Sequence, residues 1–352
     1  MSSDNPTSQA GASGESVGGA GTSGSEKTWT VLELLTWTTD YFKRNGIETA
    51  RLDAEVLLAH ALEIQRLRLY IDYEKPVLPD ERDKYRAMVQ SRARDRVPVS
   101  QLLGEREFWS LPFKVTSDVL TPRPETETLV EWALSKVKVQ KATVAVDEAG
   151  EVYAARSAAP SGDEDGSKSD GQVSDSEENL RILDIGTGSG AIALSLASEL
   201  PHADVTASDL SPAALQIAAE NADELRIGER IRFVEGDLFE PIAKTTEERF
   251  DVIVSNPPYV ARADEASLPP ELSHEPEMAL FAGTDGLDVI RRLVNEAGNH
   301  LKAGGWLGIE LSPEQADEVE DLLRTAGFED VERRFDLASR ARVVAGRKTK
   351  DD

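Results

Sequence analysis

The segment ILDIGTGSGAIAL, residues 182–194, decides the fold of this chain. It opens with a short apolar run that is typical of a buried strand, and it ends in a stretch that is compatible with a helix. Gly186, Gly188 and Gly190 lie between the two. Glycine adopts positive φ without steric strain and lets a ligand approach the backbone. The segment therefore predicts a tight turn from a strand into a helix.

Short apolar runs alternate with helical patterns around and after this turn. The predicted strands are RILDIG, ADVTASD, IRFVEGD, FDVIVSN and WLGIEL, which begin at residues 181, 203, 231, 250 and 306. This alternation predicts βαβ units and a parallel sheet that is covered on both faces. Residues 331–347 add two strands with a turn near Leu337–Arg340, as an antiparallel edge. The predicted fold class is α/β, a doubly wound, mostly parallel, seven-stranded sheet.

The N-terminal part of the chain is predicted to be a small helical domain, residues 28–97. Thr30 and Glu33 match a capping box before a helix, and Gly46 lies where that helix should end. Proline at position 98 ends the domain. Two further helices are predicted, at residues 52–63 and 79–96.

Residues 98–122 are predicted to connect this domain to the sheet domain, residues 123–352. Aromatic and β-branched residues within 107–115 favour a short β-hairpin in this connector. Residues 1–27 and 138–178 are rich in small, polar and acidic residues. Such segments bury too little apolar surface to offset the entropy of ordering, so we predict a disordered tail and a disordered acidic insertion.

Composition excludes several kinds of protein. The chain has 352 residues, a net charge of −26 and no cysteine, so disulfides, thiolate nucleophiles and Cys-ligated zinc are ruled out. None of the four histidines has metal-ligand spacing, and no metal site is expected. The negative charge disfavours nucleic-acid binding. No apolar stretch is long enough to span a membrane, and the chain begins without a signal-peptide pattern. A cytoplasmic enzyme is expected.

The glycine turn predicts a nucleoside cofactor. Gly186, Gly188 and Ala191 satisfy a dinucleotide-type fingerprint, although a turn without a ligand also fits it. Asp209 ends the next strand, where an acid can accept hydrogen bonds from both ribose hydroxyls; it would also suit the cap of the following helix. Asp237 ends the third strand, at the adenine end or as a solvated turn acid. NAD and S-adenosylmethionine both remain compatible with this pattern.

The motif Asn256-Pro257-Pro258-Tyr259 follows a buried strand and favours one chemistry. The prolines fix the backbone, Asn256 offers a carbonyl acceptor, and Tyr259 offers a flat face. Together they suit a planar NH₂ group on an sp² carbon, a poor nucleophile that must be oriented toward a methyl donor. Holding both N–H bonds with the Asn256 side chain and the Pro257 carbonyl would orient this nitrogen. A proline-rich stop after the strand is the alternative interpretation.

The combined motifs resemble the release factor glutamine methyltransferase family. The resemblance covers roughly residues 28–137 and 180–347 and rests on the order of its motifs: a helical domain, a hairpin, the cofactor turn and N-P-P-Y. Its further signatures are Pro98-Val99-x-Gln101-x-x-Gly104, Leu120-Thr121-Pro122-Arg123-Pro124-Glu125-Thr126-Glu127, and Glu275-Pro276-x-x-Ala279-Leu280-Phe281-x-Gly283-x-Asp285-Gly286-Leu287. Leu102, Leu238 and residues 312–315 depart from the family pattern.

The resemblance implies a cofactor, a partner and a set of site residues. The cofactor is S-adenosylmethionine, and the substrate is the glutamine of the GGQ motif of a release factor. Implied cofactor-binding residues are Gly186, Thr187, Gly188, Ser189, Gly190, Asp209, Asp237, Leu238 and Asn256. Implied substrate-binding residues are Asn256, Pro257, Pro258, Tyr259, Arg123 and Glu125, of which Asn256, Pro257 and Tyr259 are the catalytic candidates. Arg123 and Glu125 also suit a plain helix start.

Four other functions remain open on the sequence alone. A methyltransferase that acts on a ribosomal protein glutamine would have the same site with a different docking surface. A DNA adenine methyltransferase shares N-P-P-Y, but the strong negative charge opposes it. A non-catalytic S-adenosylmethionine-binding scaffold and an NAD oxidoreductase are further alternatives. A monomer is expected.

Overall fold

A computed structural model describes residues 28–144, 180–243 and 248–349. The predicted disordered tail, 1–27, lies outside the described residues. The predicted insertion, 138–178, lies outside them from residue 145 onward. Its first seven residues instead continue a helix that ends at Val144. The sequence has no glycine or proline between Glu125 and residue 149, and such breakers are what usually end a helix.

Five helices form the N-terminal region, and Thr30 begins the first of them. Its hydroxyl accepts a hydrogen bond from the Glu33 amide, and the Glu33 carboxylate accepts one from the Thr30 amide, as the capping box predicts. The third predicted helix becomes a π-helix over Ser91–Asp95 and ends before Arg96 at φ +61°. The helices are α1 Val31–Arg44, α2 Ala50–Ala61, α3 Arg66–Ile71, α4 Pro79–Gln90 and α5 Val99–Leu103. The short helices α3 and α5 were not predicted.

A β-hairpin follows, two residues earlier than predicted. Its strands are β1, Glu105–Phe108, and β2, Leu111–Lys114. Trp109 and Ser110 form the two-residue turn with φ of +52° and +57°, which matches the twist of an antiparallel pair. The side chain of Asn221, in the sheet domain, accepts a hydrogen bond from the Lys114 amide at 2.7 Å. The connector is therefore fastened to the sheet domain.

The predicted seven-stranded, mostly parallel sheet is confirmed. Its order is β5-β4-β3-β6-β7-β9-β8, with β9 antiparallel to both neighbours. The reversed strand therefore lies one position inside the edge, and β8 is outermost. The strands are β3 Leu180–Ile185, β4 Ala203–Asp209, β5 Ile231–Glu235, β6 Phe250–Ser255, β7 Leu301–Glu310, β8 Phe328–Phe335 and β9 Ala341–Lys348.

Helices cover both faces of this sheet. The first core, with Trp132 and Leu194, lies between the sheet and α6, α7 and α8. The second core, with Phe239 and Leu293, lies under α11 and α12. The helices are α6 Glu127–Val144, α7 Ala191–Glu199, α8 Pro212–Glu224, α9 Glu240–Ala243, α10 Glu277–Leu280, α11 Asp288–His300 and α12 Ala316–Thr325. Among the residues that the structure describes, no helix is long and apolar enough to cross a bilayer.

Candidate active site

A cavity lies at the carboxyl ends of β3, β4, β5 and β6, where ligands bind in open α/β sheets. Most residues predicted from the sequence line it together: Gly186, Thr187, Gly188, Ser189, Asp209, Asp237, Leu238, Asn256, Pro257, Pro258 and Arg123. Three other predicted residues that the structure describes, Gly190, Tyr259 and Glu125, lie outside this lining. One face of the cavity is thus the glycine turn, and another is the N-P-P segment.

The glycine turn is held to the neighbouring strand. The amides of Gly186 and Thr187 both donate to the Ser208 carbonyl, at 2.8 and 2.9 Å, and the Gly188 amide donates to Oδ2 of Asp209 at 2.8 Å. Gly188 has φ +56°, and a Cβ added there would meet no protein atom within 4 Å. A side chain at this position would therefore project into open space beside the turn.

Gly190 has a packing role instead. It begins α7 at φ +84°, and an added Cβ would lie 2.9 Å from Cδ1 of Leu194 and 3.3 Å from Cβ of Ala218. Glycine here therefore permits the close approach of α7 and α8. A role for Gly190 in cofactor binding stays a prediction.

Asp209 braces the turn and does not cap the next helix. Its Oδ1 accepts a hydrogen bond from the Ser211 amide at 2.9 Å, while the Ser211 hydroxyl caps α8 by accepting from the Ala214 amide at 3.2 Å. Burial raises the pKa of Asp209, against the hydrogen bonds from the amides of Ser211, Gly188 and Leu210. Each carboxylate oxygen has a second lone pair that a ribose hydroxyl can use.

Asp184 was not among the residues predicted from the sequence. It lies within β3, where its Oδ2 accepts from the Thr187 hydroxyl at 2.7 Å and from the Ala193 amide at 3.1 Å. Burial raises its pKa to about 7. An acid inside the apolar run RILDIG was the available signal, because buried acids are rare without a partner. The carboxyl of Asp184 fixes the far side of the glycine turn.

Asp237 and Leu238 line the cavity at the end of β5. Oδ2 of Asp237 accepts from Nη2 of Arg292 at 2.7 Å, and Arg292 also lines the cavity. Leu238 is buried at φ +48°. Asp237 thus forms a partly exposed ion pair beside the cavity, and contact of either residue with a cofactor stays a prediction.

Asn256 lines the cavity and carries a buried, unused acceptor. Its Nδ2 donates to the Thr126 hydroxyl at 3.3 Å, while its buried Oδ1 has no partner among the described residues. Pro257 and Pro258 line the cavity beside it. A buried carbonyl without a hydrogen bond is costly, so the site is suited to a ligand that donates an N–H.

Tyr259 lies behind the N-P-P segment and packs against the second core. Its carbonyl accepts from Nε2 of Gln315 at 3.0 Å. Gly286 passes so close that an added Cβ would lie 2.2 Å from this carbonyl oxygen. Burial raises the pKa of the Tyr259 phenol to about 12. Gln315, in the segment that departs from the family pattern, therefore helps hold the motif in place.

Arg123 reaches the cavity from the connector and is clamped by Glu275. Its Nη2 lies 2.7 and 2.5 Å from the two carboxylate oxygens of Glu275, a buried residue that also accepts from the Thr121 amide. Glu125 points elsewhere, toward Arg340 at 3.4 Å. Glu275 is thus a loop anchor, and the substrate contacts of Arg123 and Glu125 stay predictions.

The loop that carries Glu275 also contacts the N-terminal helices. Nε2 of His274 donates to the Asp95 carbonyl at 2.6 Å, and the His274 carbonyl accepts from Nε2 of Gln101 at 2.9 Å. The Glu271 carboxylate pairs with Nη1 of Arg92 at 2.8 Å. Since Pro276 and Met278 line the cavity, this loop joins the helical region to the site.

Comparison with known proteins accounts for both parts of the chain. The model for the PrmC N-terminal domain matches residues 33–104, and that for the methyltransferase small domain matches residues 171–326.

Three relatives, each named release factor glutamine methyltransferase, are similar over most of their length. The protein of Rhodopirellula baltica is 38% identical over 91% of this chain and 97% of its own. That of Geobacter sulfurreducens is 40% identical over the same shares. That of Chlorobaculum tepidum is 40% identical over 87% of this chain and 93% of its own. With its cofactor-type cavity and N-P-P-Y segment, the chain belongs to the release factor glutamine methyltransferase family.

Proposed function

We propose that this protein transfers a methyl group from S-adenosylmethionine to the side-chain amide nitrogen of a glutamine in a peptide chain release factor. The observation that carries the proposal is the buried, unpartnered Oδ1 of Asn256 at the cavity. It is an acceptor that an amide N–H could use. The names of the relatives support the choice of a release factor.

The residues of the cavity fit the cofactor. The turn over 186–189 leaves open space at Gly188, and Asp209 keeps lone pairs for the ribose hydroxyls. Asp237 and Leu238 would hold the adenine end. When bound, S-adenosylmethionine supplies a methyl group on a positively charged sulfur.

The N-P-P-Y segment would make a weak nucleophile reactive. An amide nitrogen is a poor nucleophile because its lone pair is delocalised into the carbonyl. Asn256 Oδ1 and the Pro257 carbonyl would accept its two N–H bonds and turn the lone pair toward the methyl group. Positioning of this kind removes several kcal/mol from the barrier. The same acceptors stabilise the positive charge that develops on nitrogen, and the proton leaves after transfer.

The N-terminal helices would recognise the protein substrate. They contact the cavity loop through Asp95, Gln101 and Arg92, so a partner bound to residues 28–97 would lie beside the site. Arg123, which lines the cavity, would contact it there; Glu125 could contact it only after leaving Arg340. We infer a monomer that acts in the cytoplasm, where release factors work, without binding nucleic acid directly.

The test is a transfer assay with tritiated S-adenosylmethionine. A release factor, a ribosomal protein and duplex DNA are offered in parallel, together with the release factor whose GGQ glutamine is replaced by alanine. Label should enter the intact release factor alone. Label on the ribosomal protein alone would show that a ribosomal protein, and not a release factor, is the substrate. Label on DNA alone would overturn the proposal.

Gly286→Ala should slow transfer from a distance. The new Cβ would overlap the Tyr259 carbonyl oxygen, 2.2 Å away, and must displace the N-P-P-Y segment. A displacement near 1 Å is expected to lower kcat about 10²-fold. Steady-state kinetics on the release factor measure this.

Gly46→Ala is the matched control for this substitution. Gly46 has a similar positive φ, +71° against +78°, but an added Cβ meets nothing within 4 Å. Its kcat should stay near that of the parent protein. Equal kcat for Gly286→Ala and the parent would show that the segment tolerates displacement.

A further inference from the structure

The 271–278 loop lies between the N-terminal helices and the N-P-P-Y segment. Pro276 and Met278, near its end, line the cavity. The chain then pairs with the residue that follows N-P-P-Y, since the Val260 amide donates to the Leu280 carbonyl at 2.8 Å. The loop therefore forms a wall of the cavity on the side of the N-P-P-Y segment.

Polar contacts hold this loop in place. Of residues 261–279, all of which the structure describes, Glu275 alone is buried, and it carries a carboxyl group. A segment with so few buried apolar side chains has little packing energy to fix its position. Its anchors are the contact of Glu275 with Arg123 and those of Glu271 and His274 with the N-terminal helices. The position of the cavity wall therefore depends on ion pairs and hydrogen bonds.

Glu271 is an anchor that two arginines share. Nη1 of Arg92 and Nη2 of Arg96 lie 2.8 and 2.7 Å from the same oxygen, Oε1 of Glu271. Nε of Arg92 also donates to Oδ2 of Asp53 in α2 at 2.7 Å. Nη1 of Arg96 donates to the Asn45 carbonyl, after α1, at 3.0 Å. Two carboxylates thus balance two guanidinium groups, and the cluster ties the loop to α1 and α2 at once.

A π-helical turn brings both arginines to the loop. It spans Ser91–Asp95 and ends before Arg96, whose φ of +61° is unusual for a residue other than glycine. The Asp95 carbonyl, at the end of the turn, accepts from Nε2 of His274 at 2.6 Å. Turns of this kind are rare and often occur at functional sites. This one presents two side chains and a carbonyl to residues 271–274.

We propose that Arg92 and Arg96 are positioning residues, which act through Glu271 to hold this loop as the cavity wall beside N-P-P-Y and so affect the rate of methyl transfer. This inference rests on the proposed function. With the ion pairs intact, the N-terminal helices fix where the lining residues of the loop lie. Without them the wall can shift, and a misplacement of about 1 Å costs up to about 10²-fold in rate.

Glu271→Ala tests this anchor with little damage to the fold. Arg92 keeps its pair with Asp53 in this variant, whereas replacing Arg92 would leave that buried carboxylate unpaired and destabilise the protein strongly. With S-adenosylmethionine and the release factor both saturating, Glu271→Ala should lower kcat about 10-fold or more. Kd for S-adenosylhomocysteine should change less than about twofold, because the glycine turn and Asp209 are unchanged.

Glu320→Ala is the matched control. Glu320, in α12, also binds two arginines, Arg324 at 2.7 Å and Arg333, and its side chain is 12% exposed against 21% for Glu271. It is not among the described residues that line the cavity. Its loss should lower Tm but leave kcat, measured well below Tm, at the value of the parent protein. A loss of Tm without a loss of kcat in Glu271→Ala would overturn the inference.

Arg96→Gln shows whether that arginine acts through Glu271. Alone, the substitution should lower kcat. Added to Glu271→Ala, it should lower kcat no further, because residues that share one contact give non-additive losses. Additive losses would contradict action through Glu271.

Hydrogen exchange of the free protein separates this inference from the proposed function. Amides of the 271–278 loop should exchange faster in Glu271→Ala than in the parent protein or in Glu320→Ala, without any substrate. Equal exchange would overturn the anchoring role even where the parent protein methylates the release factor. A parent protein that labels no release factor would overturn the proposed function and, with it, the effect on transfer.

Discussion

Asn256→Ala is expected to lower kcat roughly 10²- to 10³-fold, the usual effect of removing one preorganised partner of a developing charge. The variant loses the buried Oδ1 that has no partner among the described residues, so one N–H of the glutamine amide is no longer held. Cofactor affinity should stay within about threefold, because the glycine turn and Asp209 are unchanged. Single-turnover transfer and calorimetry with S-adenosylhomocysteine measure the two effects.

Asn256→Asp is the matched control for this variant. Aspartate keeps an oxygen at the same position but has no NH₂ to offer the Thr126 hydroxyl. Its kcat should lie between those of the parent protein and Asn256→Ala. A large loss of cofactor affinity in Asn256→Ala, with an unchanged rate at saturation, would mean that Asn256 binds the cofactor and not the glutamine.

Gly188→Val should have the opposite effect, a loss of cofactor binding of about 10²-fold or more, equivalent to roughly 2.7 kcal/mol. The turn holds Gly188 at φ +56° with open space beside it. A β-branched side chain would fill space that the cofactor needs and would strain the backbone. Titration with S-adenosylhomocysteine measures the affinity.

Gly327→Val separates backbone strain from filling of the cavity. Gly327 also has positive φ, +85°, with nothing within 4 Å of an added Cβ, and it lies before β8, away from the cavity. Its cofactor affinity should match that of the parent protein, although its melting temperature falls. Equal affinities for Gly188→Val and Gly327→Val would argue against a cofactor at the glycine turn.

The architecture was predictable because the spacing of apolar residues and the positions of glycines determine each strand, helix and turn locally. Five apolar runs predicted five strands of the sheet and residues 331–347 the other two, while Thr30 with Glu33 predicted the start of the first helix. Boundaries were less predictable. The hairpin begins at Glu105 because positive φ at Trp109 and Ser110 fixes its register, which composition does not reveal. Helix α6 passes residue 138 because nothing in the sequence stops it.

The site was predictable where one short motif supplies it. The turn at 186–189 and the segment Asn256–Pro258 face one cavity, as their positions after neighbouring strands implied. Residues that hold a site residue in place without lining the cavity were not predictable. Gln315 follows β7, more than 50 residues after Asn256, and its contact with the Tyr259 carbonyl depends on the neighbouring strands β6 and β7. Only the fold brings them together.

The contacts of the 271–278 loop limit which segments of this enzyme can be exchanged with a homologue to make a chimera. Arg92 pairs with Glu271, the Asp95 backbone with His274 and Gln101 with the His274 backbone, although 173 to 179 residues separate the partners along the chain. A chimera that exchanges only residues 28–104 with a relative would keep these contacts only where the relative supplies matching groups at residues 92, 95 and 101. A chimera designed to change substrate preference should therefore exchange residues 28–104 and the 271–278 loop together.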